Sequence, residues 1–209
     1  SILSDLLQDR QKKYAPSRPL LACLPGSRGG EIKFIGPVFW ESIALCCQSI
    51  KNIQVIVPAA NSRCREQIEG QLKQYPSLPI TIVDGLSHEV MAASDAVLLA
   101  SGTTALEAML LKRPMIVAYK MAAFSYYIIS RLLQTPYIAL PNLLANKLLV
   151  PELVQGDATV ANISSSILQA FANQDKNTQE FTKLHQSIKR NADMESAKTI
   201  HALLTGDVI

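Results

Sequence analysis

The feature that most constrains the fold of this chain is a regular alternation of short apolar runs with longer segments of helical spacing. Near-continuous apolar runs of four or five residues are typical of strands in a parallel sheet whose two faces are both covered. The predicted strands are Leu20–Leu24, Gln54–Val57, Ile80–Val83, Ala96–Ala100, Met115–Tyr119 and Tyr137–Leu140. The helices predicted between them are Glu31–Ile50, Ser62–Tyr75, Ser87–Ala93, Thr104–Leu111 and Ala123–Leu133.

This alternation predicts an α/β fold, a doubly wound, Rossmann-like parallel sheet of about six strands with ligands at the carboxyl ends of the strands. Three closing helices are predicted after the sheet, at Thr159–Ala172, Thr178–Asn191 and Met194–Leu204. Residues 1–19 have the composition of a leader and linker, and residues 20–209 are predicted to form one domain.

The fourth apolar run is followed by the residues Ser-Gly-Thr-Thr-Ala-Leu-Glu at 101–107. A strand that turns through Gly into a helix directs main-chain N–H groups and the positive end of the helix dipole at one point, which suits a phosphate. A carboxylate one turn into that helix would repel the phosphate unless it binds another part of the ligand, such as a ribose diol. The stretch predicts a nucleotide or nucleotide-sugar site formed by Ser101, Gly102, Thr103, Thr104 and Glu107.

The same stretch has an alternative interpretation that needs no ligand. Thr104-x-x-Glu107 is also the pattern of a capping box, in which both side chains satisfy main-chain donors at a helix start. From this stretch alone the two interpretations are equally supported.

A second strand–Gly-loop–helix junction favours the nucleotide interpretation. The residues Leu-Pro-Gly-Ser-Arg-Gly-Gly-Glu at 24–31 follow the first apolar run. Glycines let a ligand approach the main chain closely, and the planar, permanently charged Arg28 suits a pyrophosphate. Gly26, Ser27 and Arg28 are therefore predicted to bind the ligand.

Charge and cysteine usage exclude several other functions. The formal net charge is only +3, and the basic residues are scattered, so no nucleic-acid partner is predicted. The four cysteines have no CxxC spacing, which predicts reduced, mostly buried thiols in a cytoplasmic protein. The sequence contains no Asp-x-Asp signature, so no metal is predicted. No apolar run approaches the ~18 residues of a membrane span.

Two further features have a structural and a functional interpretation each. His88 is predicted to be a surface or capping residue in preference to a ligand contact. The apolar segment Ala123–Leu133 favours core or inter-domain packing over contact with acyl chains or a membrane surface.

Several motifs of the chain, taken together and in their order along the sequence, resemble those of lipid-A-disaccharide synthases. The resemblance extends from about Leu20 to the C-terminal helix. The residues that carry the resemblance are Leu24–Glu31, Ala93–Ala96, Leu98–Glu107, Pro114–Tyr119, Leu140–Ala145, Leu184–Gln186 and Asn191–Asp193.

The resemblance implies one half of a GT-B glycosyltransferase, the C-terminal, UDP-sugar-binding half. Such enzymes transfer a diacylglucosamine from its UDP derivative to a diacylglucosamine 1-phosphate in the synthesis of lipid A, the lipopolysaccharide anchor of Gram-negative bacteria. Members of the family are about twice as long as this chain. Their other half binds the acceptor and carries the general base, so this chain is expected to bind UDP groups but not to catalyse transfer alone.

The resemblance also implies roles for individual residues. Arg28 would neutralise the diphosphate and help UDP leave, Ser101, Gly102 and Thr103 would contact the phosphates, and Glu107 would bind the ribose hydroxyls. Asn142 is a candidate ligand contact. The alternative, that Asn142 only holds a turn, is equally supported. No metal or other cofactor is expected, because an Arg and a helix terminus can stabilise the leaving diphosphate.

The implied partners are the two lipid substrates, an N-terminal acceptor domain and, for the full enzyme, a membrane surface. The implied location of the full enzyme is the cytoplasm, peripheral to the inner membrane. A homodimer is a further implied partner state. Two alternatives remain open: another GT-B enzyme that uses UDP-GlcNAc, either a 2-epimerase or the peptidoglycan N-acetylglucosaminyltransferase, and a nucleotide-binding module without catalysis.

Overall fold

The computed structural model of the chain describes residues 18–100, 102–122, 135–173, 177–189, 197, 200–202 and 204. These residues contain a six-stranded parallel sheet with the strand order β3-β2-β1-β4-β5-β6. The strands are β1 (Leu20–Leu24), β2 (Gln54–Ala59), β3 (Ile80–Asp84), β4 (Ala96–Leu99), β5 (Met115–Tyr119) and β6 (Glu152–Val154). The helices are α1 (Gly29–Ser49), α2 (Ser62–Leu72), α3 (Ser87–Ala93), α4 (Gly102–Leu110), α5 (Leu140–Ala145), α6 (Val160–Ala172) and α7 (Thr178–Ile188).

The strand order confirms the predicted doubly wound topology. From β1 the chain builds β2 and β3 on one side and then returns to build β4, β5 and β6 on the other. The order of the strands therefore reverses between β1 and β4, and this switch point is where such folds bind their ligands. Residues 1–17 of the predicted leader (1–19) and the apolar segment at 123–133 lie outside the described residues, as does most of the predicted helix at 194–204.

Both faces of the sheet are covered, which explains why its central strands β1 and β4 consist of apolar residues. On β1, Leu21 and Cys23 pack against α1, α2 and α6, whereas Leu20 and Ala22 pack against α3, α4 and α7. Successive side chains of a strand point to opposite faces, so a doubly covered strand needs apolar residues at every position.

The cysteines belong to this packing, as predicted. Cys23, Cys46 and Cys64 are buried, Cys47 is half-buried, and all four thiols are free. Burial raises the pKa of the Cys46 thiol to about 12, with a smaller contribution from its neighbour Cys47. Such a thiol stays protonated at neutral pH and is a poor nucleophile.

The predicted sixth strand, Tyr137–Leu140, is wrong. Leu140 begins helix α5, and Pro141 occupies its first turn, where the missing N–H of proline is tolerated. The sixth strand is instead the three-residue β6, which pairs with β5 in parallel. A half-buried edge strand of this length leaves almost no periodic signal in a sequence.

Asn142 is fully buried and has no capacity left for a ligand, so the structure supports the alternative in which it holds a turn. Its amide nitrogen donates to the Val150 carbonyl at 3.0 Å and to the Glu152 carboxylate at 2.8 Å. Its oxygen accepts from the N–H groups of Leu149 at 2.8 Å and Val150 at 2.9 Å. All four hydrogen bonds that an Asn side chain can make are formed. The residue ties α5 to the segment that leads into β6.

We expect Asn142→Ala to lower the free energy of unfolding by about 2–3 kcal/mol, because buried main-chain donors lose their acceptor. Urea denaturation followed by circular dichroism measures the loss. The matched control is Gln74→Ala, which removes an exposed amide and should change stability by less than ~0.5 kcal/mol. Unchanged stability in Asn142→Ala would contradict the structural role.

Candidate functional site

The two glycine-containing motifs begin side by side at the switch point. β1 and β4 are hydrogen-bonded neighbours with Leu24 paired to Leu99, so the loops that leave them start at the same edge of the sheet. The Ala100 N–H donates to the Leu24 carbonyl at 3.0 Å, which carries the pairing to the end of both strands. The fold therefore brings together the two sequence motifs, which are separated by about 75 residues in the chain.

The loop after β1 is organised by Glu31, a residue of the motif that the sequence did not single out. One carboxylate oxygen of Glu31 accepts from the N–H groups of Ser27 at 3.0 Å and Arg28 at 3.3 Å. Gly26 has a φ of +120°, a conformation that side chains rarely adopt. The only available sequence signal was the position of Glu31 in the first turn of α1, where carboxylates often bind main-chain donors.

Arg28 immediately precedes α1 and presents its charge to solvent. Its side chain is 83% exposed, and its nearest acidic partner is Glu31, at 3.8 Å. An exposed guanidinium beside a helix start is available to an incoming anion.

Arg28 also lines an open cleft of about 560 Å³ between the loops after β1 and β2. Lys33 and Arg63 add two more cations to its wall, and none of its lining residues is acidic. The sequence placed these basic residues in scattered positions, but the fold collects them on one side of Arg28. The combined charge raises the local concentration of anions.

The loop after β4 leads into α4, which begins at Gly102. A Cβ added to Gly102 would lie 2.9 Å from the Ile138 carbonyl oxygen, so only glycine fits without a shift. Thr103 and Thr104 complete the first turn of α4, whose N–H groups point toward the switch point. Ser101 lies outside the described residues.

Glu107 is accessible on α4 and is not part of a capping box. Thr104 is the third residue of the helix, so it is not the N-cap, and Glu107 lies beyond the first turn. The capping-box alternative is therefore wrong. The Glu107 side chain is 41% exposed, and its carboxylate lies 3.6 Å from His88 Nε2 in the first turn of α3. His88 is itself 63% exposed, which confirms the prediction of a surface residue.

Tyr119 is a further polar group at this edge that the sequence did not indicate. It ends β5, and burial raises the pKa of its phenol, with the charge of Glu31 adding to the shift and that of Arg28 opposing it. The phenol therefore stays protonated at neutral pH. Its only sequence signal was its place at the carboxyl end of a predicted strand.

The described ranges contain no group of three His, Cys, Asp or Glu side chains placed to hold a metal ion. The expectation that the site needs no metal remains a prediction. Among the helices of the described part, none is both long enough and apolar enough to cross a membrane.

Solved structures of glycosyltransferases share this fold. The C-terminal domain of a group 1 glycosyltransferase from Francisella tularensis matches with a TM-score of 0.54 at 16% identity, over 88% of this chain and 91% of that one. The ADP-heptose lipopolysaccharide heptosyltransferase II of E. coli matches with a TM-score of 0.56 at 13% identity, over 81% of this chain and 52% of that one. At these identities the likeness concerns the fold, a Rossmann-like domain of the GT-B type.

The sequence has much closer relatives. The lipid-A-disaccharide synthase of Hahella chejuensis is 48% identical over 191 residues, which cover 90% of this chain and 48% of that protein. The lipid-A-disaccharide synthase of Pseudomonas putida is 42% identical over 186 residues, 89% of this chain and 49% of that protein. The chain thus spans about half the length of the curated relatives it matches.

A family model described as lipid-A-disaccharide synthetase matches residues 4–204. The match includes both motifs at the switch point and extends through α7. The chain therefore belongs to the lipid-A-disaccharide synthase family.

Proposed function

We propose that this chain is the donor-binding part of an enzyme that transfers a diacylglucosamine from its UDP derivative to a diacylglucosamine 1-phosphate. The observation that carries the proposal is that the loop with Arg28 and the loop that leads into α4 start side by side at the switch point of a member of this family. In the reaction an acceptor hydroxyl attacks the anomeric carbon, the bond from that carbon to the diphosphate breaks, and the hydroxyl proton passes to a base. We assign that base to the part of the relatives' length that this chain does not cover.

The diphosphate is bound between the two loops. The Arg28 guanidinium supplies positive charge, and the first turn of α4, with Gly102 and Thr103, supplies N–H donors. Ser101, the preceding residue in the sequence, is proposed as a further contact. Negative charge grows on the UDP oxygen as the sugar bond breaks, so these fixed groups stabilise the transition state more than the ground state. This arrangement needs no metal ion.

Glu107 binds the ribose. Its two carboxylate oxygens can accept hydrogen bonds from the 2′- and 3′-hydroxyls at once, and its 41% exposure leaves them accessible. The carboxylate lies more than one turn from the start of α4, which separates its charge from the phosphates. His88 Nε2 lies 3.6 Å from one of these oxygens.

The rest of the proposal concerns partners and place. The lipid acceptor is held by a second Rossmann-like domain, which corresponds to the uncovered length of the relatives. Both substrates carry acyl chains, so the complete enzyme works at the cytoplasmic surface of the inner membrane, and it is compatible with a homodimer.

If Arg28 binds the diphosphate, UDP should bind more tightly than UMP, because the second phosphate of UDP interacts with the Arg28 guanidinium. Arg28→Ala should cost about 1.5–3 kcal/mol of UDP binding, and Arg28→Lys should recover only part of it. Isothermal titration calorimetry without added metal measures both. The control is Lys73→Ala, which removes an exposed cation at the other end of α2, ~16 Å from its start. Equal affinities for UDP and UMP would contradict the diphosphate role.

For Glu107 we expect Glu107→Gln to weaken UDP binding by about 1–3 kcal/mol while the melting temperature stays the same. A Gln has one acceptor oxygen and an unwanted donor toward the diol. The analogue 2′,3′-dideoxy-UDP should bind the wild type weakly and be indifferent to the substitution. Glu89→Gln, on exposed α3 surface nearby, is the matched control. Intact UDP binding in Glu107→Gln would exclude the ribose role.

A further inference from the structure

The loop after β1 already holds an anion, and that anion is a side chain of the same chain. The carboxylate of Glu31 reaches back over the start of α1 and accepts from the N–H groups of Ser27 and Arg28 with a single oxygen. Its side chain is only 13% exposed. Successive main-chain N–H groups that converge in a glycine turn form a concave anion site, and such sites commonly receive a phosphate.

The shape of the loop shows that the carboxylate is closely packed in this concavity. A Cβ at Gly26 would lie 2.6 Å from the Glu31 Cβ and would also collide with the carboxylate oxygen that binds the two amides. Gly26 therefore leaves room for the Glu31 side chain at the place where a phosphate would otherwise approach. At Gly30, in contrast, an added Cβ would meet no atom within 4 Å.

The second oxygen of the carboxylate faces the cation of the site. Glu31 Oε1 lies 3.8 Å from Arg28 Nη1, while the rest of the guanidinium remains in solvent. One side chain thus binds the main chain of the loop and also forms an ion pair with the cation that the loop carries.

We infer that Glu31 is a positioning residue: it fills the anion-binding concavity of the Ser27 and Arg28 amides, so that the loop contacts a diphosphate through the Arg28 guanidinium and not through its main chain. This inference rests on the proposed binding of UDP. It assigns Gly26 and Ser27 an indirect role, as the frame that holds Glu31, in place of direct contact with the phosphates.

The first test compares UDP, UMP and uridine by calorimetry in four proteins: wild type, Glu31→Ala, Arg28→Ala and the double variant. We expect Glu31→Ala to reduce the preference for UDP over UMP about tenfold, with uridine affinity unchanged. A tenfold change is the lower end of the free energy of one hydrogen bond between the Arg28 guanidinium and the second phosphate. The double variant should show no more loss than Arg28→Ala, because Glu31 acts through Arg28. Equal weakening of all three ligands, or a full Glu31 effect in the Arg28→Ala background, would overturn the inference.

The second test restores the missing carboxylate with acetate. In Glu31→Ala the two amides lose their anion, so acetate should raise the melting temperature and recover the UDP preference in this variant. The melting temperature of Glu31→Gln should not depend on acetate, because the single amide oxygen of Gln can still accept from both N–H groups. This variant also keeps the test possible if the Ala variant does not fold. The Gln variant should still lose about threefold in UDP preference, and only when Arg28 is present, because the charge-assisted contact is gone.

The control is Glu66→Ala, which removes an exposed carboxylate of α2 and should respond to acetate as the wild type does. A Glu31→Ala protein whose melting temperature is insensitive to acetate, or a Glu31→Gln protein with the full UDP preference of the wild type, would refute the inference. If the wild type binds neither UDP nor UMP, the proposed function fails. The acetate response of the melting temperature would then still decide whether Glu31 occupies the anion position.

Discussion

The covering of the sheet by helices on both faces is the constraint on which the rest of the structure depends. It requires apolar residues along every central strand, so Leu20 to Cys23 are all fully buried, and polar chemistry is confined to the ends of the strands. The reversal of strand order between β1 and β4 then opens space between two neighbouring loops. The β-sheet register places Leu24 beside Leu99, so the loop with Arg28 and the loop that leads into α4 start side by side although they are far apart in the sequence.

A second chain of contacts links the edge of the sheet to this space. Asn142 donates to one carboxylate oxygen of Glu152, and the other oxygen accepts from the Ile138 N–H. The Ile138 carbonyl lies against Gly102, the first residue of α4. Each link is buried or half-buried, where an unpaired polar group is costly. The short edge strand β6 thereby helps to fix the helix start that is assigned to the diphosphate.

Much of this was predictable from the sequence, and the failures have separate causes. Apolar runs and glycine junctions are local patterns, so the fold class, five of the six strands and the two loops followed from them. β6 and the filled hydrogen bonds of Asn142 depend on contacts between segments that only the folded chain brings together. The partners of Glu31 are instead its near neighbours Ser27 and Arg28, and its position in the first turn of α1 was the signal that could have indicated its role. Thr104 failed differently: its spacing to Glu107 imitates a capping box, but the helix begins two residues earlier, at Gly102. A capping pattern specifies a helix start only where the N-cap position is known.

Two carboxylates flank the space assigned to a diphosphate, and their surroundings explain how an anion can bind between them. Glu31 is 13% exposed, and its charge is balanced by two main-chain N–H groups and the edge of a guanidinium. Glu107 is 41% exposed, and the imidazole of His88 lies 3.6 Å from its carboxylate. Hydrogen bonds to an ionised carboxylate reduce the field that it exerts on its neighbours, so Glu31 can lie near phosphate without excluding it. The carboxylate oxygens of Glu107 remain accessible, so Glu107 can accept hydrogen bonds from neutral hydroxyl groups. Those of Glu31 are engaged with the loop, so Glu31 serves to hold the loop in place.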